Sequence, residues 1–426
     1  MRRPGPQAAG ARHAGGPARL AILALIGAVA CSPTASGTPG PARPTASAAR
    51  PTAAVPTATP AASLATASPG ATSSSTVGRV WAPLPDAPTL EGTFVGSLFF
   101  DGAGPLLAGG FVVKGEGRAE GAVWASDDAR AWTRLTARPG FEDAAVGRIS
   151  RAPDGTFLAV GSTCYYECAG VRIWRSTDGT TWTAVDHDLP ESAFVSVIPG
   201  GPGWVGLGEV NMPLGALAGW TSADGARWSP ATGIGPDPGV VRGFVATADG
   251  FVAGGSVYPE DRSEPAVWTS ADGTAWARVA ATDAPEGLGL EALVELDGLL
   301  IALARTDGGI ELWTSEAGDD WSLRSGAGAP FEIGGSRLIR IAMVVAGGPG
   351  LVAFGAAEAP DSGPTIGIWV TADGLDWQPG EVTAFVPDVE VYDAVRFGDG
   401  VLAVGRLPCD IETCVERPAF WISPPG

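Results

Sequence analysis

Acid–base and nucleophilic chemistry have few places to sit in this sequence. Histidine occurs twice, as His13 and His187, and lysine once, as Lys114. A histidine-based metal site or a Ser–His–Asp arrangement therefore has almost no material. Cysteine occurs five times: Cys31 alone, then the tight pairs Cys164 with Cys168 and Cys409 with Cys414. Such spacings can hold a metal, but no second ligand set is present, and two local disulfides fit better in an exported chain. Loops this short gain only about 2 kcal/mol each from chain entropy, so stiffening a loop is the role to expect. Guanidinium chemistry is better supplied. Arg148, Arg242 and Arg340, if they converged, would grip a carboxylate through paired N–H donors more firmly than lysines could. Their use depends on the elements that carry them.

Acidic residues outnumber basic ones 46 to 27, a net charge of −19. Six arginines and no acid precede residue 77, which leaves 21 bases against 46 acids beyond it. That balance excludes nucleic-acid binding by phosphate neutralisation. The 62 Gly and 37 Pro point to a turn-rich β protein, a low-complexity tail, or both.

The N-terminus reads as an address. Arg2, Arg3, Arg12 and Arg19 precede an apolar run of eleven residues, 20–30. A bilayer needs about 20, so the run suits the apolar core of a signal peptide instead. Ala28-Val29-Ala30 fits ordinary signal cleavage. With Cys31 the same residues resemble a bacterial lipobox, in which the cysteine is lipidated and becomes the mature N-terminus. The expectation is a signal peptide over 1–30 and a lipid on Cys31, with plain secretion as the alternative; several acyl chains anchor stably where one does not. From 32 to 76, 41 of 45 residues are Pro, Thr, Ala, Ser or Gly. Such a segment cannot bury enough apolar surface to order itself. It should act as a tether with a mean reach of roughly 35–40 Å.

Residues 77–426 are repetitive. Trp-x-Ser-x-Asp-Gly-x-x-Trp runs from Trp174 to Trp182 and returns at Trp220–Trp228, Trp268–Trp276 and, with Thr371 for Ser, Trp369–Trp377. Degenerate copies span Trp124–Trp132, with Ala129 in the Gly place, and Trp313–Trp321, with Ala317 in the Asp place. Only Trp204 of the fifteen tryptophans falls outside this scheme. Each repeat divides into four short strands, A to D, with the Asp-Gly turn joining C to D. Four-stranded units of this length arranged around an axis predict an all-β, seven-bladed β-propeller. First-position tryptophans number seven, the last being Trp421, but second-position ones only six. The missing partner is Trp81, just after the tether. The N-terminal strand should therefore complete the C-terminal blade and remove its exposed edge.

The Ser/Thr-x-Asp-Gly-x-x-Trp turn resembles a shortened Asp-box, as in the sialidase-like BNR-repeat propellers, and the likeness covers 77–426. The resemblance implies a structural role for Ser176, Asp178 and Gly179, for Ser222, Asp224 and Gly225, for Ser270, Asp272 and Gly273, and for Thr371, Asp373 and Gly374. It places working groups on the opposite face, formed by the B–C and D–A loops. There a sialidase uses an arginine trio, a tyrosine nucleophile with a glutamate beside it, and an acidic proton shuttle. Arg148, Arg242 and Arg340, with Glu291, Tyr392 and Asp393, are the matching types at the starts of A strands. The expected function is a non-catalytic module that binds a protein or glycan ligand on this face. It should work as a monomer at the outer face of a bacterial membrane, with no cofactor and no metal. A sialidase-like glycan hydrolase is the alternative.

Overall fold

A computed structural model describes residues 77–85, 90–115, 118–136, 139–163, 170–190, 192–210, 215–235, 237–259, 262–325, 331–333, 336–347, 350–358, 365–385, 389–407 and 417–423. Residues 1–76, read above as signal segment and tether, and all five cysteines lie outside them. No helix among the described residues is long and apolar enough to cross a membrane.

The strands follow from alternation between apolar and polar positions. In the second repeat, strand C is Val171–Ser176, with Val171, Ile173, Trp174 and Ser176 buried and Arg172 and Arg175 exposed. It pairs antiparallel with strand B, Phe157–Ser162, and with the short strand D, Thr183–Ala184. The same A-B-C-D order recurs in seven separate sheets, and the sixth adds a two-residue pairing, Glu332–Ile333, beside strand A. The A strands contact one another in sequence around the ring, so they form the wall of the central channel.

Each blade has two apolar faces, and neither can be buried alone. Seven clusters of buried side chains fill the seven interfaces between neighbouring blades. The first-position tryptophans supply the bulk: Trp124, Trp174, Trp268, Trp369 and Trp421 are among the largest fully buried side chains. Trp204, outside the repeat scheme, packs with Trp220 and Trp228 between blades 2 and 3.

Closure works as the tryptophan count predicts. Ala82–Pro83 pairs with Pro418–Ser423, setting Ala82 opposite Ile422 and Pro83 opposite Trp421. The match extends to the turn itself. In an intact box, Ser176 Oγ accepts the Gly179 N–H at 2.9 Å and the Trp182 indole donates to Gly179 O at 3.0 Å. At the seam, Ser423 Oγ accepts the Gly78 N–H and the Trp81 indole donates to Gly78 O at 2.7 Å. One box is thus assembled from the two ends of the domain. Gly78 takes φ of 74°, like Gly179 at 72°, where a side chain is strained. Blade 1 keeps the turn without glycine: Ala129 adopts φ of 60°.

Deleting residues 77–85 should leave the last blade with an open edge, lowering the melting temperature and promoting aggregation. Trp81→Ala alone should cost about 3–5 kcal/mol, in the range for removing a buried aromatic ring. Melting curves of both variants check this; an unchanged cooperative transition in the deletion would contradict the seam.

Candidate ligand site at the channel mouth

A β-bulge interrupts strand A of every blade at one equivalent place. The extra residue is Gly96, Gly147, Val195, Arg242, Glu291, Ala342 or Tyr392, from blade 1 to blade 7. The residue of strand B facing it is Gly110, Gly161, Gly208, Gly255, Ala304, Gly355 or Gly405. Glycine is favoured there by close approach: a Cβ on Gly161 would stand 1.9 Å from Ala145 O, and one on Gly255 1.9 Å from Val240 O. Bulges re-aim side chains. Here three of the re-aimed residues, Arg242, Glu291 and Tyr392, belong to the set singled out in the sequence.

Those six residues do not form one cluster. Arg148 and Asp393 meet: Arg148 Nη1 lies 3.3 Å from Asp393 Oδ2, which also accepts the Leu98 N–H at 2.8 Å, while Oδ1 accepts the Ala394 N–H at 3.0 Å. This network ties the A strands of blades 7, 1 and 2. Burial pushes the Asp393 carboxyl upward, and Arg148 with the two amides pulls the other way. Tyr392 donates to Glu390 at 2.9 Å, and Glu390 also receives Arg406 at 3.0 Å. The Tyr392 ring sits 4.9 Å from Phe94, which stacks on Phe111. Glu291 is held instead by Arg305 Nε at 2.8 Å.

Arg242 belongs to a third group. Burial lowers its affinity for a proton; Glu291 and Tyr258 act against that, while Arg340 and Arg305 act with it. Arg242 and Arg340 are therefore within electrostatic reach of each other, with Arg305 as the third guanidinium. These three come from blades 4, 5 and 6, which are consecutive. Glu209 faces them from blade 3 and is 2% exposed. It alternates along strand B with Val205 and Leu207, which pack in the cluster between blades 3 and 4. Burial pushes the Glu209 carboxyl up to about 7, opposed by Arg242.

Sequence reasoning misses Glu209, Arg305, Glu390 and Arg406. Glu209, Arg305 and Arg406 occupy one position in three blades, the residue directly after the strand-B site opposite the bulge. That offset is the signal that could have found them.

The box acids behave differently. Asp178 Oδ1 accepts the N–H groups of Thr181 at 2.6 Å and Thr180 at 2.8 Å, and those bonds hold its carboxyl far below the usual range. Asp128, Asp224 and Asp272 are lowered by similar turn bonds. At Asp373 burial acts upward, yet the turn bonds outweigh it and the carboxyl is again lowered. At that far end a cavity of about 350 Å³ opens between blades 7 and 1, lined by Phe100, Leu106, Phe397 and Ile422 among others. It is remote from the arginines. Among the described residues no cluster of three or more His, Cys, Asp or Glu could hold a metal.

No family model and no curated protein matches the chain. Solved structures do resemble it. One is a GH74 xyloglucanase from Xanthomonas campestris, 16% identical, TM-score 0.48, over 76% of this chain and 53% of that one. This chain thus spans about half the length of the xyloglucanase. Another is the periplasmic gluconolactonase of Pseudomonas aeruginosa, 13% identical, TM-score 0.46, over 74% of this chain and 95% of that one. The propeller assignment rests on the strand pairing itself.

Two outcomes follow from the electrostatics. Arg148→Leu should destabilise strongly, by about 3–5 kcal/mol, because it strands a buried carboxylate, and adding Asp393→Leu should recover much of the loss. A double-mutant cycle of melting or denaturant curves measures it. Glu209 binds its proton more tightly folded than unfolded, so its stabilisation is complete below the ordinary 4.5 and is lost as pH rises through about 7. The loss is about 3 kcal/mol. Glu209→Gln should flatten the stability profile across that window, as read by denaturant titration at each pH.

Proposed function

We propose that this is an exported, lipid-anchored β-propeller that presents a binding or assembly face on a flexible stalk at the outer surface of a bacterial membrane. The working face is the channel-mouth side, where the B–C and D–A loops gather. One observation carries the choice of a binding module over a hydrolase. The tyrosine and glutamate that a sialidase-like mechanism would couple are engaged elsewhere, Tyr392 with Glu390 at 2.9 Å and Glu291 with Arg305 at 2.8 Å. A nucleophile needs its base within hydrogen-bond reach, and here each partner is already committed. Arg242 and Arg340, from blades 4 and 6, remain as binding groups. Support for the stalk comes from the apolar run before Cys31 and the Pro/Thr/Ala/Ser tether after it.

Cys31→Ser should move the protein from the membrane fraction into the soluble exported fraction. Intact mass of the wild type should show an acylated Cys31. A wild type that is already soluble and begins at an unmodified Cys31 would favour plain secretion. Turnover of a fluorogenic sialoside that disappears in Tyr392→Phe would favour the hydrolase.

A further inference from the structure

The cavity of about 350 Å³ at the box end lies opposite the mouth, between the A–B turns of blades 7 and 1. Backbone spacing opens it. In blade 3, Gly201 turns strand A into strand B at φ of 57°, and a Cβ there would stand 2.2 Å from Asp272 O in the next blade's box. Gly398 holds the same place in blade 7 at φ of 59°. Among the described residues, however, a Cβ on Gly398 would meet nothing within 4 Å. Gly104, across the gap in blade 1, is equally open. Blade 1 joins its first two strands by six residues, 100–105, where blade 7 uses two, 398–399. The longer connection carries Phe100, which meets Phe397 edge to face with ring centroids 5.2 Å apart. Leu106, wholly buried, and Ile422 complete an apolar floor.

Two carboxylates stand at the lip, Asp399 from the turn of blade 7 and Asp127 from the box of blade 1. Both are exposed, and among the described residues neither side chain has a hydrogen bond or an ion pair. Their acidic neighbours are taken: Asp101 receives Arg151 at 2.7 Å, and Asp128 accepts the Arg130 and Ala131 amides at 2.8 Å. No lysine or arginine lines the cavity. We infer that this cavity binds a small organic cation with an apolar body, of the aralkylammonium class. The floor takes the body, the rings of Phe100 and Phe397 favour a cation beside them, and Asp127 and Asp399 supply the opposite charge. The volume falls in the range of small-molecule sites. An anion would be opposed by the lip and by the 46 acids against 21 bases of residues 77–426. A neutral apolar guest gains the floor alone, and a fully hydrated cation gains only the screened lip. The site goes beyond the module reading, which uses the opposite face, and does not depend on it.

The probes are phenethylammonium and benzyltrimethylammonium, with phenethyl alcohol, phenylacetate and ethanolammonium as controls. Each is titrated calorimetrically into the full mature protein at neutral pH, with melting temperature as a second readout. Both cations should bind and raise the melting temperature, and each control should bind about tenfold more weakly or not at all. Asp127→Asn and Asp399→Asn should each weaken binding about threefold, and the double variant about tenfold. Without ligand the variants should melt like the wild type, because neither carboxylate gives up a partner. Failure of both cations to bind, or binding unchanged in the double variant, overturns the site. Phenethyl alcohol or phenylacetate binding as tightly as the cations overturns the assigned charge. Ethanolammonium doing so overturns the role of the apolar floor. A double variant melting well below the wild type overturns the site too, by making the carboxylates structural.

Discussion

A four-stranded blade cannot bury either of its faces by itself, and every other feature of the domain depends on that constraint. The seven buried clusters each span two blades, so the stability of a blade belongs to its neighbours. An open ring would expose two such faces and one strand edge. The last gap is closed by the two ends of the domain. Gly78 and Trp81 from one end and Ser423 from the other rebuild a turn that six blades make from continuous chain. The cost of bringing distant ends together grows only slowly with the length of the loop between them, while closing the ring buries Trp81 against Phe354 and Phe385.

The same closed ring fixes the mouth. Because the A strands touch around the axis, their bulges lie at one level of a common wall. Rigid walls allow charged groups to stay apart, or to stay unpaired, in a way that flexible loops would not. Arg148 and Asp393 use this to tie three blades together. The same walls desolvate Glu209 and Arg242, which pushes the Glu209 carboxyl up to about 7.

Architecture is legible in the sequence because it is written in large, repeated side chains. Tryptophans at 174 and 182, with Asp-Gly between them, mark a hairpin in one copy and a propeller in seven; the mismatch of seven against six points to Trp81. The mouth is less legible. Strand-B glycines such as Gly161, Gly255 and Gly405 are visible, but an extra residue in the facing strand leaves no mark on alternation short enough to read. Without the bulge, the two residues flanking it are assigned to the wrong faces. Arg148 and Arg242 therefore look equivalent in the sequence, although Arg242 is the bulged residue of its blade and Arg148 follows the bulged residue of its own. Glu209 and Arg305 read as ordinary strand ends, since only the ring places them at one mouth.

Charge at two ranges sets what can reach such a mouth. The domain carries 21 bases against 46 acids, so its field at a distance is negative and opposes anions. That field is screened over roughly 8 Å at physiological ionic strength. The guanidiniums of blades 4 to 6 act inside that length, in surroundings that already desolvate Arg242. Rising salt therefore weakens the long-range repulsion of anions more than it weakens the field of these partly buried guanidiniums.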